Sequence, residues 1–239
     1  MLGVYPAFKK RGAGGTTLSI GPAIESIKIE DLEDRIVNAE QATINADVFN
    51  QRFFAGGHAS FNFFNADHFA IPTQGLGFNA GVIYRVNLDD VDRHTVNLSS
   101  ELKFYVRLGV SDRVVLASRI GGKHIIGKYD FFQAVNLGGG GTLRGFANQR
   151  FSGRTNFYHN IDIRIKVFDS ENQSIPISGG ITPGIDYGRV WIDDDTSNKM
   201  HVGYGGTLWI APLDYIALSA GMFLSDEETR FTLRAGFQF

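Results

Sequence analysis

The sequence predicts an all-β fold: a transmembrane antiparallel β-barrel of the outer-membrane type. Three observations lead there. First, apolar and polar residues alternate over stretches far longer than a globular strand, which usually runs about five or six residues. Second, glycine (29) and phenylalanine (20) are abundant while proline is only 6, a composition suited to many strands with tight turns. Third, no run of about eighteen apolar residues exists, so no transmembrane helix competes with the strands.

The clearest element is Val96–Val110. Val96, Leu98, Leu102, Phe104, Val106 and Leu108 fall on one parity, and Asn97, Ser99, Glu101, Lys103, Tyr105 and Arg107 on the other. Such a strand carries aliphatic side chains to lipid and polar ones to a wet or plugged interior. The pattern recurs. Phe157–Val167 opposes Ile161, Ile163 and Ile165 to Asn160, Asp162 and Arg164. Thr229–Phe239 opposes Phe231, Leu233, Ala235, Phe237 and Phe239 to Arg230, Thr232, Arg234 and Gln238. Val202–Ile210 and Ile216–Leu224 show the same apolar parity. Further strands are expected at Leu2–Phe8, Thr16–Ile29, Arg52–Phe64, Gly75–Val86, Arg113–Ile126 and Ile177–Trp191. The total is about eleven.

The connections differ in length. Short turns are expected at Lys10–Gly15, Ser111–Arg113, Asp169–Ser174 and Pro212–Asp214. Longer polar segments fall at Glu30–Asn50, Asn87–Thr95 and Lys128–Arg154, the first with room for a helical turn. Short turns on one side and long loops on the other are the habit of outer-membrane barrels. A soluble β-sandwich or lipocalin-like barrel would also alternate, but strand length and a strand running to Phe239 count against it.

One stretch is a poor strand: Asn136-Leu137-Gly138-Gly139-Gly140-Gly141-Thr142-Leu143-Arg144-Gly145-Phe146. Consecutive glycines weaken a strand and admit φ > 0. A hinge that carries a permanent cation between apolar Leu143 and Phe146 suggests a loop folding back onto a surface. Its arginine would want carboxylates placed for forked hydrogen bonds. The alternative is a plain exposed loop. Nucleotide motifs fail: no Gly-x-Gly-x-x-Gly register fits, no Gly-Lys-Ser/Thr occurs, and no helical pattern follows.

Other chemistry is sparse. There are no cysteines, hence neither disulfides nor thiolate metal sites. A formal net charge of −2 argues against a nucleic-acid partner. The histidines lack metal-ligand spacing, Ser178 lacks a nucleophile-elbow context, and no cofactor motif is present, so an enzyme within these residues is not expected. Asp193-Asp194-Asp195 lacks the EF-hand pattern and reads as a solvated turn, as does Asp226-Glu227-Glu228. No signal peptide is visible, so the chain is expected to be cytoplasmic, mature or a piece of a longer one.

The glycine stretch resembles the Leu-Gly-Gly…Arg-Gly-(Phe/Tyr) loop of the outer-membrane protein 85 superfamily, the barrels of the BamA and TamA type. Several segments support the resemblance. Asp162-Ile163-Arg164 is similar to the acidic-x-Arg pattern of the strand after the loop. Ile185–Trp191 is similar to the apolar-Asp-x-Gly-x-Val pattern of the next strand, and Asn65–Gly75 to an Asp…Pro-Thr-x-Gly periplasmic turn.

The resemblance implies that residues 1–239 are a shortened or C-terminal part of a barrel of about sixteen strands, with no POTRA repeat visible. It implies a lumen loop formed by Gly138, Gly139, Leu143, Arg144, Gly145 and Phe146, with Arg144 paired to Asp162 and Asp186. Asp186 shares a face with Thr182, Gly184 and Gly188, small neighbours that leave room for a loop. It implies a C-terminal insertion signal in Phe231, Leu233, Phe237 and Phe239. It also implies the outer membrane of a Gram-negative bacterium, contact with outer-membrane lipid, and unfolded outer-membrane or secreted polypeptides as partners. The function implied is insertion, assembly or translocation of polypeptides. Two alternatives stand beside it. One is a passive barrel anchoring an upstream patatin or metallophosphoesterase domain; Gly21-Pro22 and the charged segment after it are similar to the latter group. The other is a small pore.

Overall fold

The computed structural model describes residues 2–28, 50–170, 176–193, 197–213, 215–237 and 239. The expected polar loop at Glu30–Asn50 lies outside the described residues apart from its last one, as do Asp194, Asp195 and Gln238. No described helix is long and apolar enough to cross a membrane.

The chain forms β1 (Leu2–Val4), β2 (Phe8–Arg11), β3 (Thr16–Ile27), β4 (Arg52–Ala66), β5 (Gly75–Asn87), β6 (His94–Arg107) and β7 (Val114–Gly127). After β8 (Val135–Leu137) and β9 (Phe151–Gly153) come β10 (Thr155–Ser170), β11 (Ile177–Trp191), β12 (His201–Pro212), β13 (Leu218–Leu224) and β14 (Thr229–Ala235). Twelve of these make one antiparallel sheet in the order β1-β3-β4-β5-β6-β7-β10-β11-β12-β13-β14, with β2 also on β3 and β10 joining β7 past the β8–β9 hairpin. β8 and β9 form a separate hairpin, Val135↔Gly153 to Leu137↔Phe151, within the expected loop 128–154.

The burial pattern is inverted relative to a soluble protein. Along β10, Asn156, Tyr158, Asn160, Asp162 and Arg164 are buried, while Ile163 and Val167 are exposed. Across the sheet the exposed set includes Leu18, Ile24, Leu76, Val82, Leu102, Val106, Ile181, Leu208, Met222 and Leu233. A polar interior and an apolar outer face are what the alternation in sequence predicts for a strand set in lipid. The strand lengths agree, at 16 residues for β10 and 15 for β11.

The expected first strand, Leu2–Phe8, is divided. β1 and β2 both pair with β3, through Val4↔Ile24 and Phe8↔Ile20. Carrying that register across the gap sets Pro6 opposite Pro22. Neither proline has an N–H to give, so the ladder breaks there without slipping. Gly21 and Pro22, similar in sequence to a segment of enzyme-bearing barrels, are ordinary members of β3 facing His58 and Gly57.

The expected last strand is also cut short. β14 ends at Ala235, and Gly236 takes φ +111°. This left-handed turn sends Phe237 and Phe239 into the lumen. Phe239 packs on Tyr105, Val115 and Ala117, while Phe237 packs on Trp209. Phe231 and Leu233 stay on the outside, 79% and 85% exposed. The four residues of the expected insertion signal therefore do not share one face. The reason is local: glycine releases the strand, and buried cations await the rings. Arg164 stands over the Phe237 ring at 4.1 Å and Arg119 over the Phe239 ring at 5.2 Å.

The connections between β2 and β3, β4 and β5, β6 and β7, β10 and β11, and β12 and β13 gather at one end, the short-turn end. The loop carrying β8 and β9 belongs to the opposite end.

Candidate functional site

The lumen near the middle of β10 and β11 is filled by the loop 138–146. Its backbone is set by glycine: Gly138, Gly139 and Gly145 have φ of +122°, +78° and +91°, which other residues adopt only under strain. The Gly139 carbonyl accepts from the amides of Thr142 (3.2 Å) and Leu143 (3.0 Å), and Thr142 Oγ1 accepts from Gly138 N at 3.0 Å. This tight turn presents Arg144 inward.

Arg144 lies between two carboxylates. Its Nε donates to Asp186 Oδ2 at 2.8 Å and its Nη2 to Asp186 Oδ1 at 2.6 Å, a forked pair. Nη2 and Nη1 also donate to Asp162 Oδ1 and Oδ2, at 2.7 and 3.3 Å. The Arg144 amide adds a bond to Asp186 Oδ2 at 2.8 Å. All three side chains are buried, with Asp186 fully so. The guanidinium also faces the Phe223 ring at 4.0 Å. Burial of one cation with two carboxylates is tolerable because every guanidinium nitrogen is engaged and the bonds are charge-assisted.

Further groups hold the loop by its carbonyls. Arg119 Nη2 donates to Gly141 O (2.7 Å), Asn160 Nδ2 to Thr142 O (2.8 Å), Ser225 Oγ to Gly145 O (2.8 Å), and Arg234 to Gly140 O. Arg119 is in turn fixed by Asn160 Oδ1, and Tyr158 donates to Glu101 Oε2 at 2.6 Å. Leu143 and Phe146 pack with Leu137 and Tyr158 in a small apolar cluster. Of these carbonyl partners, Ser225 comes from the turn before β14, and Arg119, Asn160 and Arg234 come from β7, β10 and β14. The alternation in sequence marks them as lumen-facing but does not say which would meet the loop.

Glycines on the wall make the space. A Cβ on Gly184 would lie 2.2 Å from Asp162 Oδ1, and one on Gly203 would lie 1.9 Å from Arg144 O. Gly188 is likewise against Leu137, and Thr182 beside them is buried.

The Asn65–Gly75 segment forms a second ordered feature, at the short-turn end. Asp67 accepts from the amides of Thr73 (2.9 Å), Gln74 (3.1 Å) and His68 (2.9 Å), from the Thr73 hydroxyl, and from Arg107 Nη2 at 2.7 Å. Partial burial opposes its ionisation. The Thr73 hydroxyl, the Gln74 and Thr73 amides and the Arg107 guanidinium outweigh that and hold the carboxyl well below the usual range. Ile71 from this turn packs against the group of Trp209, Ala211 and Ala217.

At the opposite end the acidic run is paired: Asp226 with Lys199, Glu227 with Arg150 and Glu228 with Arg230. Asp193 pairs with Arg154.

The family model described as the Omp85 superfamily domain matches residues 8–239. No curated protein sequence matches. Among solved structures, the chain is similar to BamA from Haemophilus ducreyi lacking POTRA domains 1–3, at 16% identity and a TM-score of 0.65. The match covers 93% of this chain and 51% of that one, so the chain spans about half the length of the structure it resembles.

Proposed function

This chain belongs to the Omp85 superfamily, and from that membership we propose that it assists the insertion, assembly or translocation of unfolded polypeptides at a Gram-negative outer membrane. It is an outer-membrane β-barrel of the Omp85 type. Its exposed aliphatic side chains are the surface that meets outer-membrane lipid.

The observation that supports the proposed activity is the free side of β14. This strand is bonded to β13 through Leu218↔Ala235 to Leu224↔Thr229 and to no other described strand. Its outer edge offers alternate N–H and C=O groups. An incoming unfolded strand can add there by backbone pairing, a form of β-augmentation. In a hydrocarbon setting this pairing is strongly favoured, since unpaired backbone groups have no water to turn to. The docked loop braces the same region: Ser225 precedes β14, Arg234 lies on it, and both bond to the loop.

A photo-crosslinking residue in place of Thr232 tests the reading. During assembly of an unfolded outer-membrane polypeptide, crosslinks should form from this position, and outer-membrane assembly should slow when the chain is depleted. No crosslink and no change in assembly would instead favour a passive anchor for another domain.

A further inference from the structure

The free edge of β14 carries a side-chain pattern as well as backbone groups. Along this strand Arg230, Thr232 and Arg234 share the lumen face, and Phe231 and Leu233 the outer one. The paired side does not complement the cations. On β13, Phe223 stands opposite Arg230, Gly221 opposite Thr232 and Ser219 opposite Arg234, and none of the three is acidic.

Each cation has only a local contact. Arg230 Nε meets Glu228 Oε2 at 3.0 Å, an exposed pair two residues apart in the chain. Arg234 donates to the Gly140 carbonyl and makes no ion pair among the described residues. Asp186 and Asp162 attract it from farther off, but both carboxylates are bonded to Arg144, and Arg144 and Arg119 repel it. The outer face is equally one-sided. Phe231 and Leu233 are 79% and 85% exposed, whereas Leu208, with a strand on either side, is 66% exposed. Side chains of a neighbouring strand would cover the difference.

Residues directly opposite one another decide how well two strands pair: opposite charges and apolar pairs help, and like charges hinder. Given the pairing proposed for this edge, on which the inference rests, we infer that β14 selects incoming strands with two carboxylates four residues apart, enclosing two apolar residues and a small central one. The carboxylates stand opposite Arg230 and Arg234, where a guanidinium fork accepts each by parallel bonds. The apolar residues stand opposite Phe231 and Leu233, and the small one opposite Thr232. This five-residue pattern reads the same in both directions, so antiparallel addition preserves it.

The sequence has no cysteine, so Thr232→Cys gives the detergent-folded protein a single thiol. It is offered peptides with the cores Glu-Leu-Cys-Leu-Glu, Gln-Leu-Cys-Leu-Gln and Lys-Leu-Cys-Leu-Lys, each activated at its cysteine as a mixed disulfide that the protein thiolate displaces. Dividing each rate by that with urea-unfolded protein removes the peptides' own differences in reactivity. The acidic peptide should couple about tenfold faster than the lysine peptide, with glutamine between them. Adding Arg230→Glu and Arg234→Glu should invert the order. Arg234 also holds the loop, so heat-modifiable mobility shows whether that variant is folded. Should it not fold, Arg230→Glu alone, which leaves the loop contacts in place, should bring the acidic and lysine peptides to similar rates. Equal rates for all three peptides, each faster than with unfolded protein, overturn the selection and leave the pairing at β14 standing. Rates no faster than with unfolded protein overturn the pairing itself, and the selection with it. An acidic preference undiminished in the folded charge variants also overturns the selection.

Discussion

Removing the guanidinium of Arg144 should be the most damaging single change to the lumen. Arg144→Ala deletes four charge-assisted hydrogen bonds and strands two carboxylates, Asp162 at 2% and Asp186 at 0% exposure. Losing one partner of a buried ion pair typically costs about 3–5 kcal/mol, mostly because the remaining charge is left in a poor solvent. The expected loss here is of that size. Equilibrium urea unfolding in lipid vesicles, followed by tryptophan fluorescence, measures it. The companion variant Arg144→Met with Asp162→Asn and Asp186→Asn removes all three charges and should recover most of the loss. A single variant within about 0.5 kcal/mol of the wild type would refute the reasoning. So would a triple variant as unstable as Arg144→Ala, because the cost would then not lie in uncompensated charge.

Other expectations follow from the same geometry. Gly203→Ala places a methyl group where the Arg144 carbonyl sits, and should cost about 1–3 kcal/mol by overpacking. Trypsin should then cleave the loop near Arg150 faster than in the wild type. Leu233→Arg puts a charge on the exposed outer face and should cost about 2–4 kcal/mol if that position lies near mid-membrane, measured as folding yield into vesicles. The depressed carboxyl of Asp67 contributes stability that is present above its unfolded value near 3.8 and lost as pH falls below it. Asp67→Asn should therefore reduce stability at neutral pH and show a flatter acid limb, read by heat-modifiable mobility between pH 2 and 7.

Strand positions were legible because alternation has only two phases, and a polar face that is buried inverts just one of them. Thus β11 is read correctly in extent, β6 and β10 to within two or three residues at each end, and all three in facing. The inward placement of Arg144, Asp162 and Asp186 follows from parity plus a resemblance, not from parity alone. Alternation says nothing of where a strand stops. The turn of Phe237 and Phe239 into the lumen was hidden, although Gly236 within a strand pattern was the signal for it. The division of the first strand was hidden because it depends on Pro6 and Pro22 meeting, a matter of register between separate segments. The partners Arg119, Asn160, Ser225 and Arg234 were likewise invisible singly, since they act on backbone carbonyls of a loop whose path no local pattern specifies.

The paired prolines bear on register. Slipping β1 and β2 along β3 by two residues would set Pro6 opposite Ile20 with Pro22 opposite Val4, or Pro6 opposite Ile24 with Pro22 opposite Phe8. Either slip would spread the two missing N–H donors over two rungs of the ladder. In the observed alignment both fall on one rung, and the residues on either side keep partners able to donate. The sequence thus carries a local penalty against misalignment of these strands, set by the one residue type that has no N–H to give.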